Sequence, residues 1–527
     1  MNRSLFVTAV SISATGLLLT GCTTGATTSN NGSSANAGAG ATTTVRTTID
    51  LPGGFDPTQA RSLPDYIAAR MSFDTLLRKD ADNKLAPGLA ESWQTSGTGA
   101  VFTLRKDATC SDGTPITPTV VKNSLEYLTS KDAGSSVPPQ VFGNAGPPTI
   151  TADDAAGTLS VTPAAPWPDM LTGLTISATG VICPAGLKDT AALAAGTAKG
   201  AESGPYVLSA KEHAVRYTYT LRDGYNAWPK YAAALPGLAA KTVVFNVIDD
   251  KNATANQLLA GQLDIGFINA NSLERFKGNQ KFTVSAEPLS DFYVLFNERE
   301  GSPFTEPAKR KAVAQVLDRA AFENVTSMGN GQVTKQLVAK DTKCSNPDQS
   351  PVIEPDPEAA KALLKGLKIR MVGAQIVGPQ GSGNVYVQEQ LRAAGAEVAL
   401  DNLDVGGWIN KVYGEPSAWD LTVYADLNFA GTMSNPINAM VGPTIQEGGG
   451  NVGGTTNPDA AAALERFRQS TSEEATCSAL QDAMNAIISN VDAIPLSNDP
   501  RVMVAGDGFA VISKGGALED QSLRITK

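Results

Sequence analysis

The chain of 527 residues carries a single histidine, His213, and five cysteines, and these counts decide most of the chemistry open to it. A Ser-His-Asp or Cys-His arrangement needs an imidazole as its base and would have to use His213. That residue falls at the expected tip of a polar hairpin, where it reads as a solvated turn residue. A zinc or nickel site built from several imidazoles is excluded by count. No Gly-Lys dipeptide occurs, so there is no Walker A phosphate loop, and Gly329-Asn330-Gly331-Gln332 is only a glycine turn. The 52 acidic residues include neighbours such as Asp153-Asp154 and Asp249-Asp250. These read most simply as loop acids, because spacing alone does not set the separation a carboxylate pair needs for catalysis. No catalytic residue, metal or cofactor is expected, and the chain does not read as an enzyme.

Cys22 stands apart from the other four cysteines. Arg3 precedes an apolar segment from Leu5 to Leu19, and small residues follow, which is the layout of a secretion signal at residues 1–21. The segment is too short and too interrupted by Ser and Thr to span a membrane well. Leu19-Thr20-Gly21-Cys22 resembles the bacterial lipobox, in which cleavage precedes the cysteine and its sulfur carries a diacylglycerol. Residues 23–44 lack any charge and consist largely of Thr, Ser, Gly, Asn and Ala. Residues 22–45 therefore read as a lipidated cysteine and a flexible tether, holding a folded body about 25 Å from its anchor. An exported chain meets an oxidising compartment, so Cys110, Cys183, Cys344 and Cys477 are expected in disulfides. Of the possible pairings, Cys110–Cys183 and Cys344–Cys477 are expected, because each pair lies in one half of the chain and would staple one domain.

The remaining composition is that of a folded, acidic protein. A length of 527 residues suggests more than one domain, and a hydrophobic content of 42% is ample for a core. The formal net charge of −10, without any Lys/Arg cluster, argues against a nucleic-acid partner.

Short β-branched or aromatic runs at 101–105, 242–248, 367–372 and 420–425 read as strands. Between them lie amphipathic helices with legible ends. Thr117-Pro118 opens one with Val121, Leu125 and Leu128 on a shared face, and Asp356-Pro357 opens another that Gly366 closes. Val387, Leu391 and Ala394 form a stripe ended by Gly395. Thr471 and Glu474 have capping-box spacing ahead of Leu480, Met484, Ile487 and Ile488. Residues 203–222 read as a hairpin, and the glycine-rich stretches 137–148 and 442–458 as surface excursions or linkers. The alternation predicts α/β domains.

Several phrases, in order, resemble the family 5 solute-binding proteins of ABC importers, the oligopeptide and dipeptide binders. They are "GGFDPTQARSLPDYIAARMSFDTLLRKDADNKLAPGLAESWQ" (53–94), "FTLRKDATCSDGTPITPTVVKNSLEYL" (102–128), the "GPY" hairpin at 204–222, "LLAGQLDIGFI" (258–268), "FYVLFNEREGSPFTEPAKRKAVAQVLDR" (292–319), "AWDLTVYAD" (418–426) and "NVDAIPLSNDPRVMV" (490–504). The chain departs from that pattern at Val120, where an acid is common, and in the glycine-rich 442–458. After Trp419-Asp420-Leu421 the family's Trp-x-x-Asp arrangement is missing. Asp426 is the nearest counterpart of the aspartate that receives a peptide's α-amino group in that family.

The resemblance implies a two-lobed periplasmic-binding-protein-like clamshell (type II, cluster C) with an extra inserted domain. Lobe 1 would comprise 46–75, 195–288 and 490–527, the insertion 76–194, and lobe 2 residues 289–489. It also implies capture of a solute, an oligopeptide or dipeptide first of all, and delivery to the transmembrane subunits of an ABC permease. The expected protein is a monomer lipid-anchored to the outer face of the cytoplasmic membrane. The implied cleft-lining candidates are Phe55 and Tyr66 on the first lobe, Tyr293 and Asn297 at the crossover, and Trp408, Trp419, Tyr424, Asp426 and Asn428 on the second. The alternative is a lipoprotein of the same fold with a regulatory or scaffolding role in the envelope.

Overall fold

A computed structural model describes residues 42–80, 82–96, 98–512 and 519–527. The signal, Cys22 and almost all of the tether lie outside the described residues.

The runs read as strands in the sequence fall in three different sheets. Thr242–Val247 pairs in parallel with Thr44–Ile49 and antiparallel with Arg216–Leu221, whose other neighbour is Tyr206–Glu212. Tyr206–Glu212 and Arg216–Leu221 are the expected hairpin, and exposed His213 lies in its turn. Gly99–Leu104 belongs to a second sheet, between Ala90–Ser96 and Thr158–Thr162. Lys368–Ala374 and Leu421–Asp426 belong to a third, larger sheet.

That third sheet is organised by its longest strands. Phe282–Phe296 and Ala493–Gly506 pair antiparallel along almost their whole length. Ile265–Ile268 lies at one end of this ladder, and Leu421–Asp426, Lys368–Ala374 and Glu397–Leu403 extend it at the other. Period-2 alternation divides the strand's side chains. Phe292, Val294 and Phe296 enter one core cluster, while Tyr293 and Leu295 enter another. The ladder weakens near its middle. Pro288 faces Pro500, so this rung lacks both N–H donors, and register shifts follow between Pro288 and Ser290 and between Phe292 and Tyr293.

Helix ends follow their local chemistry. Pro118–Leu128 starts after Thr117, and Pro357–Leu364 starts after Asp356, whose carboxylate accepts from the Ala359 N–H. The helix expected to be capped by Thr471 begins one residue later. Ser472 is extended and its Oγ accepts from the Ala475 N–H, which places Glu473 and Glu474 in the first turn, where the helix dipole favours them. Disulfides join Cys110 to Cys183 and Cys344 to Cys477, with Cα separations of 6.0 and 4.8 Å. No helix among the described residues is long and apolar enough to cross a membrane.

Candidate functional site

The faces of the long ladder meet different surroundings. On the face carrying Tyr293, the neighbouring strand Leu421–Asp426 presents Thr422, Tyr424 and Asp426, since Leu421 and Val423 enter the opposite cluster. Tyr293 lies opposite Tyr424, and their rings stack with centroids 5.3 Å apart and planes at 17°. Trp408, on the helix Val405–Gly414, meets the edge of Tyr424 at 5.4 Å and donates from Nε1 to Thr422 Oγ1 at 2.9 Å. Tyr413, one turn on, shares a short hydroxyl hydrogen bond with Tyr424. Tyr66, from the helix Leu63–Ser72, meets Phe429 with ring centroids 4.0 Å apart. An aromatic box thus assembles from sequence-distant segments.

Asp426 lies against this box. Its carboxylate accepts from Asn435 Nδ2 at 3.0 and 3.2 Å, and Tyr293 OH approaches at 3.5 Å. Burial pushes its pKa up to about 7, and the hydrogen bonds from Asn435 and Tyr293 only partly offset that. Directly across the ladder stands Asp291, also buried and also held well above the ordinary carboxylate range, first by burial and then by the Asp426 charge. A side-chain hydrogen bond with Asn498, its partner on the other neighbouring strand, partly offsets this rise, while the Asp291 Oδ1 atom itself has no hydrogen-bond partner among the described residues. The hydroxyls of Tyr293 and Tyr424 are raised well above their ordinary value by burial, and Tyr413 is pushed up to about 12 for the same reason. The phenols are therefore neutral donors at physiological pH.

The segment after Asp426 is held by residues much earlier in the chain. Lys79 Nζ donates to the Ala430 carbonyl, Ser434 Oγ donates to Asp169 Oδ2 at 2.5 Å, and Trp167 meets Phe467 edge-on at 5.3 Å. Lys79 is lowered to about 8 by burial, and Asp169 is raised by burial.

Of the residues singled out in the sequence, Tyr66, Tyr293, Trp408, Tyr424 and Asp426 come together here. The others have different surroundings. Phe55 packs against Tyr217 at 5.5 Å beside Lys211. Asn297 donates to the Pro416 and Trp419 carbonyls. Trp419 is fully buried and donates to the Val412 carbonyl at 3.2 Å. Asn428 closes its own loop through the Thr432 N–H and carbonyl. Sequence reading missed Asp291, Tyr413, Phe429 and Asn435. Asp291 had a usable signal, since a residue two before Tyr293 on a strand shares its face.

A separate cavity of about 680 Å³ is lined by Glu298, Arg310, Asn457 and Asp459 among others, and by none of the box residues. Its buried charges satisfy one another: Arg310 bridges Glu298 at 2.7 Å and Asp492 at 3.2 Å. No group of His, Cys, Asp and Glu able to hold a metal occurs among the described residues.

A clamshell built on long crossing strands, with a box of aromatic and carboxylate groups on one face of them, defines a two-lobed solute-binding protein. The model of the bacterial extracellular solute-binding proteins, family 5, middle, matches residues 84–444, and the chain belongs to that family. Its members are binding proteins of ABC transporters that work outside the cytoplasm. A substrate-binding protein from Microbacterium hydrocarbonoxydans, solved with 4-hydroxybenzoate hydrazide, is 45% identical, with a TM-score of 0.86 over 92% of this chain and 100% of that one. The oligopeptide-binding protein of Bacillus subtilis is 24% identical over 91% of each chain. The periplasmic murein peptide-binding protein of Escherichia coli is 25% identical over 64% of this chain, and the match spans only 63% of that protein.

Proposed function

We propose that the protein is a membrane-tethered receptor that captures a small aromatic solute outside the membrane and hands it to an ABC permease. The observation that carries this reading is the aromatic box of Tyr66, Tyr293, Trp408, Tyr424 and Phe429 closing over buried Asp426. Rings exclude water and supply contact area, while a few polar groups fix orientation. The likeness to a protein solved with an aromatic hydrazide supports a ligand of one ring and one polar head ahead of the peptide expected from the family.

Lobe 1 (46–75, 195–288, 490–527), the insertion (76–194) and lobe 2 (289–489) then meet at the crossing strands. The hinge is placed at the Pro288–Pro500 rung, where the ladder has lost its donors. Contacts of one ligand to both lobes bias the closed state, and closure is the signal the permease reads. Cys22 anchors a monomer through its lipid, and the tether gives it reach.

Titration calorimetry and thermal shift with 4-hydroxybenzoate hydrazide, related aromatics and a peptide library test the reading. Saturable binding of the aromatic probes supports it. Binding of peptides alone restores the peptide reading, and no binding together with normal solute uptake in a deletion strain favours the scaffolding role.

A further inference from the structure

The segment that follows Asp426 faces two ways. It turns through Phe429 into the short helix Ser434–Asn438. Phe429 meets Tyr66 in the box, and Asn435 donates to Asp426. Residues interleaved with these two reach a different neighbour. Ala430 gives its carbonyl to Lys79 Nζ, Ser434 Oγ donates to Asp169 Oδ2 at 2.5 Å, and Asn438 Oδ1 accepts from Asn144 Nδ2 at 3.4 Å. Helical spacing accounts for the division. Ser434 and Asn438 are four apart and share a face, while Asn435 is turned about 100° from Ser434.

The turn ahead of the helix is shaped for this contact. Asn428 closes it, accepting from the Thr432 N–H at 3.1 Å and donating to the Thr432 carbonyl at 2.7 Å. Gly431 lies at φ +61°, and a Cβ there would come within 3.2 Å of Lys79 Nζ, so glycine both adopts the left-handed turn and leaves room for the ammonium. Lys79 and Ser434 are buried. The seam is nonetheless incompletely paired: Asn144 Oδ1, Asn438 Nδ2 and Trp167 Nε1 are buried without a hydrogen-bond partner among the described residues. A permanent interior satisfies such groups, whereas a seam that opens finds partners for them in water.

We propose that Lys79, Asn144 and Asp169 form a latch that closes the cleft onto the segment 429–438, and that Ser434 and Asn438 are positioning residues of the solute site, acting through Phe429 and Asn435 without touching the solute. This rests on reading the box as the solute site and residues 76–194 as a region separate from lobe 2. The latch joins protein to protein, so it stabilises the closed state whether or not a solute is present. The same contacts hold Phe429 against Tyr66 and Asn435 against Asp426. Apparent affinity rises with the fraction of protein already closed, and opening of the latch limits release.

The test compares full-length Asp169→Ala, Asp169→Asn and Asn144→Ala with the wild type. Asp169→Ala removes the acceptor of Ser434, Asp169→Asn keeps one, and Asn144→Ala removes the amide of a half-buried side chain. Small-angle scattering of the ligand-free proteins reads closure, and stopped-flow mixing with 4-hydroxybenzoate hydrazide reads association and dissociation. Both alanine variants are expected to show a larger radius of gyration than the wild type. The hydrazide should leave Asp169→Ala roughly tenfold faster, as loss of a hydrogen bond to a charged group implies, and Asp169→Asn should recover most of the difference. Relative affinities across aromatic probes should keep their wild-type order, since no box residue is changed. Asn144→Ala stands independently if Asp169→Ala folds poorly. Either unchanged scattering, or dissociation within about twofold of wild type, overturns the latch and leaves the aromatic site intact. Failure of the wild type to bind any aromatic probe overturns the solute-site reading, and scattering of the ligand-free variants still decides the latch.

Discussion

Asp291 and Asp426 are Cα partners in adjacent strands, and burial raises the affinity of both carboxyls for a proton. Folding therefore brings together two acids that each prefer to be neutral, next to neutral phenols. A protein keeps such a cluster at a cost in stability, and the consequences can be measured.

The first consequence is a pH dependence of unusual sign for carboxylates. Asp426 rises from 3.8 to about 7, Glu298 from 4.5 to about 7 and Asp499 from 3.8 to about 6, in each case chiefly by burial. Across that window the folded state binds more protons than the unfolded one, so stability is fully present near pH 4 and is lost as pH rises through 7. Urea unfolding of the ligand-free protein is expected to show a fall of several kcal/mol between pH 5 and 8, of which about 3 kcal/mol is the most that Asp426 could supply. Asp426→Asn should flatten the profile. A free energy that climbs over the same range would contradict these burial-driven shifts.

A second expectation concerns the ring pair between Tyr66 and Phe429. Tyr66→Ala removes an aromatic contact worth about 1 kcal/mol beyond its buried area, so ligand affinity should fall roughly tenfold. Calorimetry checks this, with the unfolding midpoint of the ligand-free variant as the control for folding.

The buried bridge of Arg310 to Glu298 and Asp492 is structural. Arg310→Ala leaves two buried carboxylates without their cation and is expected to cost about 3–5 kcal/mol in urea unfolding. Ligand affinity in the fraction that folds should be unchanged, because the cavity this bridge lines contains none of the box residues.

The disulfide Cys110–Cys183 closes a loop of 73 residues, which on the chain-entropy argument stabilises by about 4 kcal/mol. Replacing both cysteines by Ser should lower the unfolding free energy by up to that amount. Peptide mapping without reductant checks the pairing directly.

Much of this architecture was legible in the residues. Thr117-Pro118 and Asp356-Pro357 name their helix starts because a cap and a proline leave few alternatives. The cap at 471–472 was not, since Thr471 and Ser472 both offer a hydroxyl and only the backbone geometry picks Ser472. The long crossing strand was hidden by Pro288 and its polar neighbours, which read as a break although the chain runs through them with shifts of register. Tyr424 and Asp426 were visible because they end an apolar run. Asp291 looked like a polar residue ahead of one, and Phe429, in a turn, and Asn435, in the short helix Ser434–Asn438, belong to a segment whose pattern departs from the family. Asn297 and Trp419 carry family landmarks, yet their hydrogen bonds go to backbone carbonyls, a packing role that motif spacing cannot distinguish from ligand contact.

The anchor is open to a simple assay. Cys22→Ser should move the protein from the membrane fraction to the medium and abolish incorporation of labelled fatty acid.

The central claim is where the solute binds, and a crystal structure of the complex with 4-hydroxybenzoate hydrazide tests it most directly. The account predicts the ring against Tyr424 and Tyr66, with the polar head of the ligand directed at Asp426. A ligand seated instead in the cavity beside Glu298 and Arg310, with the Asp291 and Asp426 carboxylates untouched, would contradict it.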